Sequence, residues 1–298
     1  MNGNSKNPVV NGSGDVQGRR RALIKEKIRT FPAMPAFVAQ VITMLNDPAA
    51  DAVTIAGRIK FDPGMTANIL RLANSAEFGA RRSVRSLQEA IVRLGLKQLF
   101  QLVVASGMGR RLSKPMPGYE LAPDELLRHS LWAALAAEEL CLALSIHAPD
   151  MLFTSGLLHD LGKLILDEFV DASKVEIFKV AGEQKLSFEM AEAAVVGMNH
   201  ADAGAAVLDQ WHFPAELVAA ARWHHCPEAA GEYESIASIV HVAEFLSYAE
   251  GIGTGIDGLG YHLSQEAIDN LGVRKKDLEW VASHTLDKMR DLEKLLKD

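Results

Sequence analysis

The chain has 298 residues, enough to bury a large core, and its 48% hydrophobic and 23% charged content is that of an ordinary globular protein. A net charge of −7 argues against nucleic acid as the main partner, since phosphate binding needs a net basic surface. Only Cys141 and Cys226 carry thiols, which fits a cytoplasmic location without a disulfide framework, and charged residues or glycine interrupt every apolar run before it reaches a membrane span.

Residues 1–20, rich in Asn, Gly, Ser and charge, read as a disordered tail. The basic runs "RRRALIKEKIR" at 19–29 and "RRSVR" at 81–85 read as solvated helix faces. Over 34–45 the residues Met34, Phe37, Val38, Val41, Ile42 and Leu45 form one helical stripe, which "NDPAA" ends. Helices are expected next over 53–61 and through "MTANILRLANSAEF", where Asn74 and Ser75 have a packing role. Ser86 with Glu89 forms a capping box opening one long helix, "LQEAIVRLGLKQLFQLVVASG". Residues 112–124, "LSKPMPGYELAPD", read as a linker between an N-terminal helical lobe over 21–115 and a second lobe over 120–298. Further helices are predicted at 124–146, 150–158, 162–170, 173–184, 188–197, 200–211, 214–223, 235–250, 264–271 and 275–297. With no period-two strand and no solenoid repeat, the fold class is all-α and multi-helical, one lobe packed on the other.

The second lobe holds the chemistry. "GLLHDLGKLIL" at 156–166 sets His159 beside Asp160 in an apolar segment, with Lys163 three residues on. Alone, that pair is a weak signal in a chain with ten histidines. Glu125 and His129, four residues apart, project from one helix face. His200 heads a helix, His224 and His225 precede Cys226-Pro227, and Glu244 interrupts the apolar face of "SIVHVAEFL". If these helices converge, the set suits two divalent metal ions sharing a carboxylate. Nitrogen and oxygen donors without thiolate point to iron or manganese first, with zinc, nickel or cobalt as alternatives.

The order His, His-Asp, Asp/Glu on separate helices resembles the HD superfamily of metal-dependent phosphohydrolases, and the fuller set is similar to its HD-GYP subgroup. "FPAMP" at 31–35, "DPGMTANILRLANSAEFG" at 62–79 and "SLQEAIVRLG" at 86–95 resemble a narrower relative, the HDOD family. "NHADAGAAVLDQWHFP" and "HHCP" extend that resemblance over roughly residues 25–250. It implies an HD-like second lobe with C-terminal helices, and a role as an output or regulatory module in bacterial signalling. The final acid of the HD enzymes is Asp, whereas here it is Glu244. "DGLGYHLS" at 257–264 looks like the GYP signature, but follows the final acid and has His262 in place of the proline. It is rejected as a marker of cyclic-dinucleotide hydrolysis.

Each residue also has an ordinary structural role open to it. His159 and Asp160 alone make a hydrogen-bonded helix cap; Glu125 and His129 a stabilising pair; His200 an N-cap beside Asn199; His224 and His225 a loop before Pro227. Lys163 either snorkels to solvent or holds a phosphate or other anion near the metals. His241, one turn before Glu244, is an alternative ligand or a supporting partner of one. Two functions follow: a metal-binding HDOD signalling module acting through a separate signalling protein, or a metal-dependent phosphohydrolase acting on a phosphorylated small molecule. A closed, carboxylate-rich centre favours the first and an open, basic pocket the second.

Overall fold

The structure, a computed structural model, describes residues 12–34, 36–45, 51–74, 83–258 and 260–297. The first helices are α1 (Gly12–Thr30), α2 (Ala36–Leu45), α3 (Ala52–Ile59), α4 (Pro63–Ala73) and α5 (Leu87–Leu112). They are followed by α6 (Glu125–Leu144), α7 (Leu152–Leu158), α8 (Lys163–Gln184), α9 (Phe188–Val196) and α10 (His200–Gln210). The last are α11 (Ala215–Trp223), α12 (Glu234–Ala249), α13 (Gln265–Leu271) and α14 (Lys275–Lys297), with short 3-10 segments at Pro227–Tyr233 and Ile256–Gly258. Among the described residues there is no strand, only an isolated bridge between Met116 and Leu121. The fold is all-α. No single helix among those residues is long and apolar enough to cross a membrane.

Side-chain caps set several of these boundaries. Asp51 accepts from Thr54 N (2.8 Å), and Asp62, with Pro63 in the first helical turn, accepts from Met65 N (2.9 Å). Ser86 caps α5 by accepting from Glu89 N at 3.1 Å. Asn74 ends α4 and ties it to the next segment, its amide exchanging two bonds with Val84 (2.7 and 2.9 Å). Ser75 and the rest of 75–82, including the first residues of "RRSVR", lie outside the described residues.

Two hydrophobic cores result. The smaller gathers Val38, Val41, Ile55, Ile59, Ile69 and Leu99 from α2 to α5; the larger is built on α6 to α12 around Trp132, Leu158, Leu161 and Val240. α5 serves both, with Leu99 and Val103 in the smaller and Val104, Met108 and Leu112 in the larger.

Five expectations change. Residues 1–11 lie outside the described residues, but 12–20, expected as tail, are helical in α1. The "RRRALIKEKIR" run is not simply a solvated face, because Ile24 and Ile28 are buried against the larger core and Arg20 donates to Val195 O at 3.0 Å. α5 is not one straight rod. It breaks at Gly95, where φ is +76°, and its halves diverge by 97°. The helices expected at 162–170 and 173–184 are continuous in α8, since "VDASK" holds neither proline nor glycine to stop the backbone ladder. The stretch 112–124 is packed: Met116, Tyr119 and Leu121 are buried, and Gly118 N donates to Asp167 Oδ1 at 2.8 Å.

Candidate metal centre

His159 and Asp160 leave the C-terminal end of α7 and turn into α8 through Gly162. An added Cβ at Gly162 would lie 1.9 Å from His200 O and 2.5 Å from Gly204 N, so only glycine lets this turn press against α10. Asn199, not His200, caps α10, accepting from Asp202 N at 2.9 Å. His200 therefore begins the helix with its ring free to face Asp160.

Two groups of donors form around Asp160. His129, His159, Asp160 and Glu244 bring one donor atom each to within 4.8 Å of one another, and so do His200, His224 and His225. Asp160 sits between them. Its Oδ2 lies 3.2 Å from His129 Nε2 and 3.4 Å from His159 Nε2, while Oδ1 faces His200 Nε2 at 3.5 Å and His224 Nε2 at 3.9 Å. Glu244 divides similarly, with Oε1 3.9 Å from His159 and Oε2 3.9 Å from both His224 and His225. All are buried except His225, whose side chain is 11% exposed.

Hydrogen bonds on the far side of four of the rings set which nitrogen faces outward. His159 Nδ1 donates to Gly156 O (2.8 Å), and His224 Nδ1 to Ala221 O (2.7 Å). His200 Nδ1 donates to Glu192 Oε2 (2.8 Å). Ser247 Oγ spends its proton on Glu244 O, so it accepts from His129 Nδ1 at 3.1 Å. With Nδ1 protonated, the Nε2 atoms of His129, His159 and His224 present lone pairs inward, the arrangement that supports metal-ligating imidazoles. His129 and His159 consequently set Nε2 against Nε2 at 3.3 Å, where a cation between the donors resolves the lone-pair repulsion; His200 and His225 approach Nε2 to Nε2 at 2.8 Å. Asp160 Oδ1 and His224 Nε2, both buried, have no hydrogen-bond partner. These residues fit a divalent-metal site.

The charges follow from burial. It pushes His159 down to about 4 and His224 and His225 well below the ordinary histidine range, helped by neighbouring imidazoles. Burial acts the same way on His200, but the Glu192 carboxylate outweighs it and raises the ring to about 9. Burial alone would raise Asp160; the Lys163 ammonium instead holds it well below the carboxylate range. Glu244 goes well up through burial and the adjacent Asp160 charge.

Residues 31–227 match the HDOD domain family. The chain belongs to the HDOD family. Among its relatives is an uncharacterized protein of Treponema pallidum (strain Nichols), 26% identical over 229 residues, which cover 74% of this chain and 43% of that protein. The chain thus spans less than half the length of that curated relative. An HDOD domain protein of unknown function from Geobacter sulfurreducens shares the fold with TM-score 0.69 and 24% identity, covering 92% of this chain and 97% of that one. A Marinobacter aquaeolei VT8 structure, provisionally named a signal transduction protein, matches with TM-score 0.67 and 18% identity over 95% of this chain and 66% of its own. One from Shewanella amazonensis SB2B, provisionally named a metal-dependent phosphohydrolase, matches with TM-score 0.62 and 19% identity over 92% and 99%.

The structure brings together His129, His159, Asp160, His200, His224 and His225, within the residues that match the HDOD family, and Glu244, which lies beyond them. Glu125 stands apart: its carboxylate turns back to accept from Ala122 N at 2.5 Å and belongs to neither donor group, because the turn before α6 leaves that backbone donor unpaired. His241 supports the centre from behind, its Nδ1 donating to His224 O (2.6 Å) while Nε2 accepts from Ser264 N (2.9 Å). Lys163 does not snorkel; it is buried and donates to Asp160 Oδ2 and Asp257 Oδ2, each at 2.5 Å. Cys226 is exposed and donates to Glu228 Oε1 at 3.2 Å.

Five functional neighbours escaped sequence reasoning. Glu192 binds both nitrogens His200 offers, backbone and Nδ1, and accepts a short bond from the buried Tyr119 hydroxyl. Tyr261 donates to Glu244 Oε2 (2.8 Å) and Tyr248 to Asp257 Oδ2 (2.9 Å). Asp257 and Tyr261 lie in "DGLGYHLS". Rejecting that stretch as a hydrolase signature left its polar residues, the available signal, unused.

Proposed function

We propose that this HDOD lobe holds two divalent metal ions bridged by Asp160 and works as a regulatory module. His129, His159 and Glu244 serve one ion; His200, His224 and His225 the other. The donor set of imidazoles and carboxylates favours iron or manganese over zinc, nickel or cobalt. The observation that carries the regulatory reading is closure. Every proposed ligand except His225 is essentially inaccessible, and the Lys163 ammonium beside them is neutralised by Asp160 and Asp257. Such a centre is carboxylate-rich and shut, which suits sensing more than turnover.

The route outward runs along α10. His200 begins that helix, and Trp211 follows its end on the seam between the two cores, stacked on Phe31 at 5.9 Å and 5.7 Å from the Arg111 guanidinium. A change in how His200 is held is thereby delivered to both cores, and through them to a signalling partner. The provisional name of the Marinobacter structure agrees with this reading.

Phosphoester hydrolysis is the second reading, favoured by Asp160 presenting one oxygen to each donor group and by the provisional name of the Shewanella structure. Metal ions would supply electrophilic activation there. Asp160 would orient the centre and Lys163 would need to leave Asp257 before binding a phosphate.

Elemental mass spectrometry and hydrogen exchange, with and without chelator, separate the readings. The regulatory reading expects about two ions per chain, no turnover of bis(p-nitrophenyl) phosphate, and faster exchange in α10 and around Trp211 after chelation. Turnover in the metal-loaded chain, with exchange at Trp211 unchanged by chelation, overturns it in favour of hydrolysis.

A further inference from the structure

Residues 251–258, "GIGTGIDG", hold four glycines and pack against His129, Tyr119 and Tyr248 at the edge of the centre. Their placement explains the composition. A Cβ at Gly253 would come within 2.8 Å of His129 Cβ, one at Gly255 within 2.3 Å of Tyr119 O, and one at Gly258 within 2.8 Å of the Tyr248 ring. Glycine thus lets this backbone lie flat against the residues that frame the metal ligands. Among the described residues of 251–264 only Ile256 and Asp257 are buried, and the middle is tied by one backbone bond, Ile256 N to Tyr119 O (3.0 Å), together with the Asp257 side chain.

Asp257 is the point of contact. Two donors converge on its Oδ2, Lys163 Nζ at 2.5 Å and the Tyr248 hydroxyl at 2.9 Å. An ammonium and a phenol aimed at one oxygen make a receptor for an anionic oxygen. The other carboxylate oxygen, Oδ1, is buried without a hydrogen-bond partner, an arrangement with a desolvation cost. One well-bound and one orphaned oxygen leave the carboxylate only half satisfied where it sits.

We propose that Asp257 is a built-in occupant of an oxyanion subsite formed by Lys163 and Tyr248, and that the 251–258 strap must lift for a phosphate group to enter. This deepens the metal-centre reading by naming how that centre is kept closed, and rests on it for its biological sense. The strap contact itself does not depend on which metal is bound. While Asp257 is in place, an incoming phosphate meets a like charge and finds both donors engaged.

The test is titration calorimetry of inorganic phosphate into the full-length protein as purified, comparing the native chain with Asp257→Asn and Asp257→Ala, with metal content measured on each sample. Asn keeps the shape and removes the charge; Ala removes the side chain. Phosphate affinity is expected to rise at least about tenfold in both, and Lys163→Gln added to Asp257→Ala is expected to abolish the gain. If both variants fold and bind phosphate no better than the native chain, the proposal is overturned. Should the alanine variant fail to fold, the asparagine variant decides. A native protein without metal sinks the metal-centre reading, while the phosphate comparison still reports on the strap.

Discussion

Asp160 and His200 show how far single residues can be read from sequence. The His-Asp pair was visible because two polar groups in "GLLHDLGKLIL" have no solvent to face. What no spacing reveals is the support behind them. Glu192 lies eight residues before His200, on a different helix, yet holds both of its nitrogens. Tertiary packing makes that pair, so neither helix's periodicity carries it. The same holds for Lys163 and Asp257, 94 residues apart. Glu125 shows the converse: correct helical spacing from His129, but a backbone donor nearer to hand. Replacing the carboxylate behind a ligating imidazole removes both orientation and basicity. Glu192→Gln is therefore expected to weaken metal binding by about 10- to 100-fold while the fold is retained. Competitive chelator titration with circular dichroism on the same samples measures both; unchanged affinity would mean that His200 takes its orientation from packing alone.

Among the elements, the long amphipathic helices were legible and the places where helices meet were not. α6 and α12 follow their apolar stripes, and α10 opens where Asn199 marks a cap. In α1 the 19–29 stretch was legible as a helix, but its buried face, carried by Ile24 and Ile28, and its extension back to Gly12 were hidden by the charged residues around them. The break in α5 turns on Gly95, which a helical pattern tolerates without comment. Close approach decides the site as well. Gly162→Ala would drive a methyl into the His200 carbonyl, so it is expected to destabilise the protein by about 1–3 kcal/mol or more and to reduce metal content. Gly182→Ala, with open space inside the same α8, is expected to be neutral or to stabilise by up to about 1 kcal/mol. Thermal unfolding of the two variants beside the native chain makes the comparison. Equal melting temperatures would show that the α8–α10 contact is looser than its geometry implies.

At the level of the whole molecule, two cores share α5 and meet at Trp211, Phe213 and Phe31, while the donors of the centre come from α6, the α7–α8 turn, α10, the loop after α11, and α12. A site assembled from so many elements ties its own occupancy to the packing of the larger core. On the proposed reading, that tie would make a buried metal pair an internal state variable, with α10 as its mechanical outlet. In the proposed arrangement Asp160 would stand between two metal ions. Anomalous diffraction at the metal absorption edge, from crystals of the metal-loaded full chain, tests this. The expected map has two peaks flanking Asp160, one among His129, His159 and Glu244 and one among His200, His224 and His225. A single peak, or metal bound elsewhere with no density beside Asp160, would contradict it.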